Sequence, residues 1–242
     1  MITPVIIIES EQITNAQRLI ADTMEVICPL SSQSPIIVCH SKYQASIQKI
    51  VKQLGITALM LFTPSERGTA IALTCAIETS LLKEKHATLA VFHHWQQVPD
   101  FDAFEHSLCL GAQLAHENYL VTIDNPLNCQ FFAQSVTINS FMVNAELLID
   151  IIQQQYPEVL DNCQKAIHND NNSIYPTLIT MRPEYFNACP SMEIDTAIFP
   201  FIPQRVDIPL CTRWSIVIPE KSLHHALPSF CFPNKRQSDQ EK

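Results

Sequence analysis

The chain has 242 residues, 47% hydrophobic and 16% charged, with 15 Lys and Arg against 24 Asp and Glu for a net charge of −9. That length can bury a substantial core in one large domain. The acidic balance disfavours nonspecific binding to nucleic acid or anionic lipid, and no apolar run approaches the ~20 residues that span a membrane. Only Gly55, Gly68 and Gly111 are present, no two of them close together. A loop that cradles phosphates needs glycine so that backbone amides can approach the ligand, so a P-loop and a dinucleotide-binding loop are excluded. The nine cysteines are scattered singly with no CxxC pair. Metal-ligand spacing is therefore absent, and an odd number argues against a complete set of internal disulfides. Most read as small buried hydrophobes in a reducing cytoplasm.

In chain order, residues 3–8 read as a first buried strand, with no basic region or small-residue cleavage site of a signal peptide. Residues 11–27 place Ile13, Ala16, Ile20, Met24 and Ile27 at helical spacing. Residues 36–39 form a second strand. Ser41 is placed to cap a helix to Leu54, which Gly55 ends. Residues 58–62 form a third strand, and an apolar helix runs from Gly68 to about Lys83. Residues 89–92 are a fourth strand, followed by His93, His94, Trp95 and Gln96, with Asp100 placed to cap a helix over 101–117. Residues 119–123 make a fifth strand. Alternation of this kind predicts an α/β, Rossmann-like, mostly parallel sheet with helices on both faces. The second half is less regular. A strand is expected within 136–143, then a helix to Gln155, an interruption at Tyr156-Pro157, a short helix over 159–167 and a surface loop over 168–173. Beyond Pro183 the segments are short and Pro-broken. A domain over 1–233 with a disordered polar tail over 234–242 is expected, with no internal repeat and no linker.

Several local stretches, in order, resemble the mannose-1-phosphate guanylyltransferases of the sugar-nucleotidyltransferase family. Residues Pro64 to Ala72, PSERGTAIA, resemble P-x-x-R-N-T-A-P-A. Residues Leu89 to Phe104 follow L-L-V-L-P-A-D-H-V-I-x-D-x-x-A-F at full length. Residues Pro157 to Cys163, PEVLDNC, are similar to P-D-I-L-E-A-C. Residues Cys189 to Ala197, CPSMEIDTA, resemble C-P-S-x-S-I-D-Y-A. With shorter matches at Pro35–Cys39, Leu120–Ile123, Pro209-Leu210 and Trp214-Ser215, the resemblance spans about residues 2–220 and implies a nucleotidyltransferase (GT-A-like) fold with an irregular C-terminal part.

The departures from that pattern fall on the chemistry. Where the family's glycine-rich phosphate loop should follow the first strand, the chain reads Glu9-Ser-Glu-Gln, whose carboxylates would repel a triphosphate. The family's two metal aspartates align with Trp95 and Ile216, and an apolar side chain cannot coordinate Mg²⁺. The acidic and basic residues that follow its S-I-D-Y-A-V-M become Phe199-Pro200-Phe201. The resulting expectation is a pseudoenzyme, not an enzyme, with no catalytic, metal or cofactor residues. It would act as an adaptor or scaffold subunit in a cytoplasmic complex, one guess being an envelope- or secretion-associated machine. Protein partners are expected; nucleic acid, membrane insertion and a nucleotide sugar are not. The alternatives are a non-catalytic sensor of a nucleotide or sugar nucleotide, and a residual guanylyltransferase.

Trp95 either anchors a partner or plugs a vestigial pocket. Arg67 either touches a ligand or fixes the loop before the Thr69 helix, the latter being expected. Asp195 is expected to make a cap or structural hydrogen bond. His93-His94 lack a third ligand at recognisable spacing, His224-His225 read as solvent-facing, and Cys189 reads as a buried thiol.

Overall fold

In the computed structural model of the chain, the described residues are 2–27, 31, 33–81, 86–92, 96–97, 101–124, 140–167, 178–209 and 215–216. The first strand, β1 (Ile2–Ile8), is buried along its whole length. Side chains alternate across a strand, so Val5 and Ile7 enter one hydrophobic layer while Ile6 and Ile8 enter the other. A strand covered on both faces reads as a continuous apolar run. The same holds for β2 (Ile36–His40), β3 (Leu59–Thr63) and β4 (Thr88–Phe92). With β6 (Leu120–Asp124), β7 (Ser140–Asn144), β8 (Leu178–Thr180) and β9 (Arg205–Pro209), they form an eight-stranded sheet in the order β8-β3-β2-β1-β4-β7-β6-β9. Val5 sits between Ile36 and Val91, both in parallel register. Only β7 runs against its neighbours β4 and β6. Two short strands, β5 (Gln96–Gln97) and β10 (Ser215–Ile216), pair separately.

One face of the sheet carries α3 (Thr69–Leu81), α5 (Ala145–Gln155) and α6 (Pro157–Ile167), whose Leu73, Ile77, Leu148, Ile152 and Leu160 join Val5, Val38 and Leu61 in a single core. The other face carries α1 (Ala16–Ile27), α2 (Gln44–Leu54) and α4 (Phe101–His116). The α/β architecture read from the sequence is therefore present, helices on both faces included. α3 is apolar nearly all round because β-strands, α5 and α6 surround it. Its buried Thr74 and Thr79 hydroxyls donate to the carbonyls of Ala70 and Cys75, each at 2.7 Å, the bond by which threonine satisfies itself inside a helix.

Several boundaries differ from the sequence reading. The helix expected over 11–27 opens as a 3₁₀ segment, Ser10–Asn15, before α1. Ser41 does not cap α2. A 3₁₀ turn, Ser41–Tyr43, comes first, and His40 Nδ1 accepts the Lys42 N–H at 3.0 Å. α2 does end at Gly55, whose φ of +66° suits the left-handed residue that closes a helix. The strand expected within 136–143 is Ser140–Asn144, and Asn144 caps α5 by accepting the Glu146 N–H. The interruption expected at Tyr156-Pro157 is present, α5 ending at Gln155, but α6 opens at Pro157 and not at 159, with the proline in the first turn where no N–H is needed. Residues 168–177 and 217–242, with the expected surface loop, His224-His225 and the tail, lie outside the described residues. No helix among the described residues is long and apolar enough to cross a membrane.

Glu78, near the end of α3, is partly buried, and burial lifts its carboxyl above the ordinary carboxylate range against a hydrogen bond with Gln164. The folded state thus holds this proton more tightly than the unfolded chain does. Its contribution to stability is full below the unfolded value of about 4.3 and is lost as pH rises through the higher folded one. Glu78→Gln is expected to raise the melting temperature near neutral pH and to leave it unchanged at about pH 4. Melting curves across that range check it, and a gain confined to acid would refute it.

Candidate functional site

The chain runs outward from β1 to β2 and β3, then crosses back to place β4 on the other side of β1. In open α/β sheets, ligands bind beyond the carboxyl ends of the strands near such a reversal. A cleft of about 400 Å³ lies there, a size that suits a small-molecule ligand. Its floor is built from Glu9 after β1, Cys39 and His40 at the end of β2, and Thr63 at the end of β3. Its wall comes from residues 65–69 together with Phe186, Ser191 and Glu193.

That wall is two loops locked to each other. Ser65 Oγ donates to Asn187 Oδ1 at 2.6 Å. The Met192 N–H donates to the Arg67 carbonyl at 2.9 Å, and the Ala70 N–H donates to the Met192 carbonyl at 3.0 Å. Glu193 Oε2 accepts from both the Thr69 N–H, at 3.1 Å, and the Thr69 hydroxyl, at 2.7 Å. The Thr69 Oγ1 in turn accepts the Ile194 N–H at 3.0 Å. Glu193 therefore caps α3 from a distant part of the chain, a carboxylate on the positive end of a helix. It also precedes α8 (Ile194–Ala197), which follows α7 (Pro183–Phe186).

The cleft mixes charges of both signs. Glu9, Glu66 and Glu193 supply carboxylates, and Arg67 supplies a guanidinium. Glu66 is also 3.9 Å from Lys42 Nζ. The thiol of Cys39 on the floor is protonated, because burial pushes it up to about 11. Cys189, just beneath the wall, lies 4.0 Å from the Cys163 sulfur. That hydrogen bond and then burial raise its pKa against the pull of Arg67, so it is a buried thiol rather than a nucleophile. Among the described residues, no group of three His, Cys, Asp or Glu is placed to hold a metal ion.

Of the residues singled out in the sequence, Arg67 reaches the cleft. The loop it belongs to is fixed by its backbone carbonyl. Its side-chain Nε is buried with no hydrogen-bond partner among the described residues. Asp195 makes a local bond, accepting the Thr196 N–H at 2.8 Å. Trp95, His93, His94 and Asp100 lie outside the described residues. Glu193 was missed, although its signal stood in the sequence. It replaces the serine of the family's C-P-S-x-S-I-D-Y-A, while Gly68 replaces the asparagine of R-N-T-A. A Cβ on Gly68 would stand 2.3 Å from the Met192 carbonyl oxygen and 2.7 Å from Glu193 Oε1, so the two loops meet where Gly68 has no side chain.

No family model and no curated protein matches the chain. Solved structures do. A structure described as mannose-6-phosphate isomerase from Helicobacter pylori matches with a TM-score of 0.69 at 17% identity, over 88% of this chain and 99% of that one. One described as mannose-1-phosphate geranyltransferase from Thermus thermophilus matches with a TM-score of 0.66 at 12% identity, over 88% of this chain and 75% of that one. The likeness is one of fold. The chain has the nucleotidyltransferase-like architecture that the motif resemblance implied. Both neighbours are enzymes by description, and this corrects the expectation that the chain is not one. Lost motif residues show only that one set of groups is gone, and a fold hosts more than one chemistry.

Proposed function

We propose that the chain is an enzyme of sugar metabolism, a divergent relative of the mannose-1-phosphate guanylyltransferases, which binds a hexose phosphate in the cleft and moves a proton on it. The observation that carries this reading is His40. Its Nδ1 accepts the Lys42 N–H, so in the neutral ring the proton resides on Nε2. The same ring lines a cleft that also contains the carboxylates of Glu9 and Glu66. Acid–base catalysis needs one group to give a proton and another to take it, and carboxylates accept hydrogen bonds from sugar hydroxyls. The descriptions of the two structural neighbours, both mannose phosphate enzymes, support the substrate class.

The test is incubation with mannose 6-phosphate and mannose 1-phosphate in D₂O, followed by proton NMR, alongside thermal shifts. A binding sugar phosphate should stabilise the fold by about 2–3 kcal/mol at ~100-fold above its Kd. Loss of a carbon-bound proton signal that His40→Ala abolishes is the expected result. Neither stabilisation nor exchange with any hexose phosphate would sink the reading.

A second proposal, docking on a partner protein, is favoured by the 44% exposed ring of Phe201 and the 49% exposed Leu110. Co-purification that is lost in Phe201→Ser would support it, and recovery of the chain alone under gentle conditions would count against it.

A further inference from the structure

We infer that the Arg67 guanidinium is the cleft's seat for a phosphate monoester, and that Glu193 shuts the adjoining start of α3 against it. The identity of the natural ligand rests on the hexose phosphate reading; the seat itself is independent of it.

Arg67 lines the cleft, and its buried Nε–H has no partner among the described residues. Buried donors are nearly always satisfied, and one that is not calls for an explanation such as a bound ion. The loop is joined to its neighbour through the backbone, where the carbonyl of Arg67 meets the Met192 N–H. A guanidinium offers its N–H groups as a planar fork that matches two oxygens of a phosphate.

The cleft's other natural place for an anion is the start of α3, where free backbone N–H groups and the helix dipole favour negative charge. There the Thr69 N–H and hydroxyl are already given to Glu193. A phosphate at that point would face a carboxylate within hydrogen-bond reach. With Glu9 and Glu66 also lining the cleft, one acidic group on Arg67 is what it accommodates, and a run of two or three phosphates is opposed. The carboxylates then suit the hydroxyls of the same ligand.

The experiment titrates the full chain with inorganic phosphate, mannose 6-phosphate and mannose, by calorimetry and by mapping phenylglyoxal modification of arginines. Phosphate is expected to bind and to protect Arg67 from modification. Arg67→Gln should weaken phosphate binding roughly ten- to hundredfold, the range for hydrogen bonds to charged groups, and Arg67→Lys by less. Glu193→Gln, which keeps the shape and removes the charge, should tighten it. Unchanged phosphate affinity in Arg67→Gln overturns the seat, as does modification of wild-type Arg67 at an undiminished rate in saturating phosphate. The second measurement needs no variant to fold. If phosphate protects Arg67 while mannose 6-phosphate binds no better than phosphate, the seat stands and the hexose reading falls. If the sugar phosphate binds without protecting Arg67, the seat falls and the hexose reading stands.

Discussion

Gly68→Ala is expected to destabilise the chain by about 3–5 kcal/mol and to lower its melting temperature by on the order of 10 °C. Gly68 has φ of +79°, where an L-residue costs roughly 1–2 kcal/mol. Space is the larger obstacle. A Cβ there would fall 2.3 Å from the Met192 carbonyl oxygen and 2.7 Å from Glu193 Oε1. The Met192 carbonyl cannot withdraw without releasing the Ala70 N–H, and Glu193 cannot without uncapping α3. Loss of a cap alone costs about 1–2 kcal/mol. Gly55→Ala is the control. It shares a positive φ, +66°, but nothing lies within 4 Å of its Cβ position, so only about 1 kcal/mol should be lost. Urea denaturation of the two variants separates strain from collision. Equal losses would mean that the two loops of the wall are not rigidly joined.

Phe199→Ala is expected to cost about 3–5 kcal/mol, as for other large aromatic truncations in a core. The ring is 1% exposed and meets Phe141 edge to face, centroids 5.0 Å apart at 83°. Such a pair adds about 0.5–1.5 kcal/mol beyond the area it buries. The Phe199 carbonyl also accepts from Arg205 at the start of β9, a backbone tie that the alanine variant keeps, so the loss reports the ring alone. Phe201→Ser, two residues on and largely exposed, should change stability by less than about 0.5 kcal/mol. The pair of variants tests whether the Phe199 ring holds this turn in the core while Phe201 contributes little to stability. A mild loss for Phe199→Ala would remove that reading.

The elements that could be read from the sequence are those whose burial is unambiguous. β1 to β4 announce themselves because both faces are covered, which leaves unbroken apolar runs. α2 announces its end through Gly55. The late strands were illegible for the opposite reason. β8 has three residues with one buried, and β9 alternates Arg205, Val206, Asp207 and Ile208, so neither has the run that marks a central strand. The reversed direction of β7 left no trace in its composition, because a buried strand has the same needs whichever way it runs. At the site, motif comparison tracked what the chain had lost and took that loss for inactivity. Gly68 and Glu193 are far apart in sequence, and only the fold brings the missing Cβ of one against the carboxylate of the other. At Arg67 the bond that joins the two loops comes from the backbone carbonyl, which any residue type would supply and no sequence pattern marks.

β8 and β9 close the two opposite margins of the sheet, beside β3 and β6, and both come from the last part of the described chain. A ribosome reaches these residues only after the six strands between them have been made. Until then the sheet ends in β3 and β6, whose open N–H and C=O groups are a surface on which strands of separate molecules join. The finished margins are a three-residue strand and one carrying Arg205 and Asp207, which blunt such pairing. The interval between completion of β7 and completion of β9 is therefore when this chain is most exposed to self-association. A version halted after Ile167 should collect in the insoluble fraction even though most of its hydrophobic residues have already been synthesised.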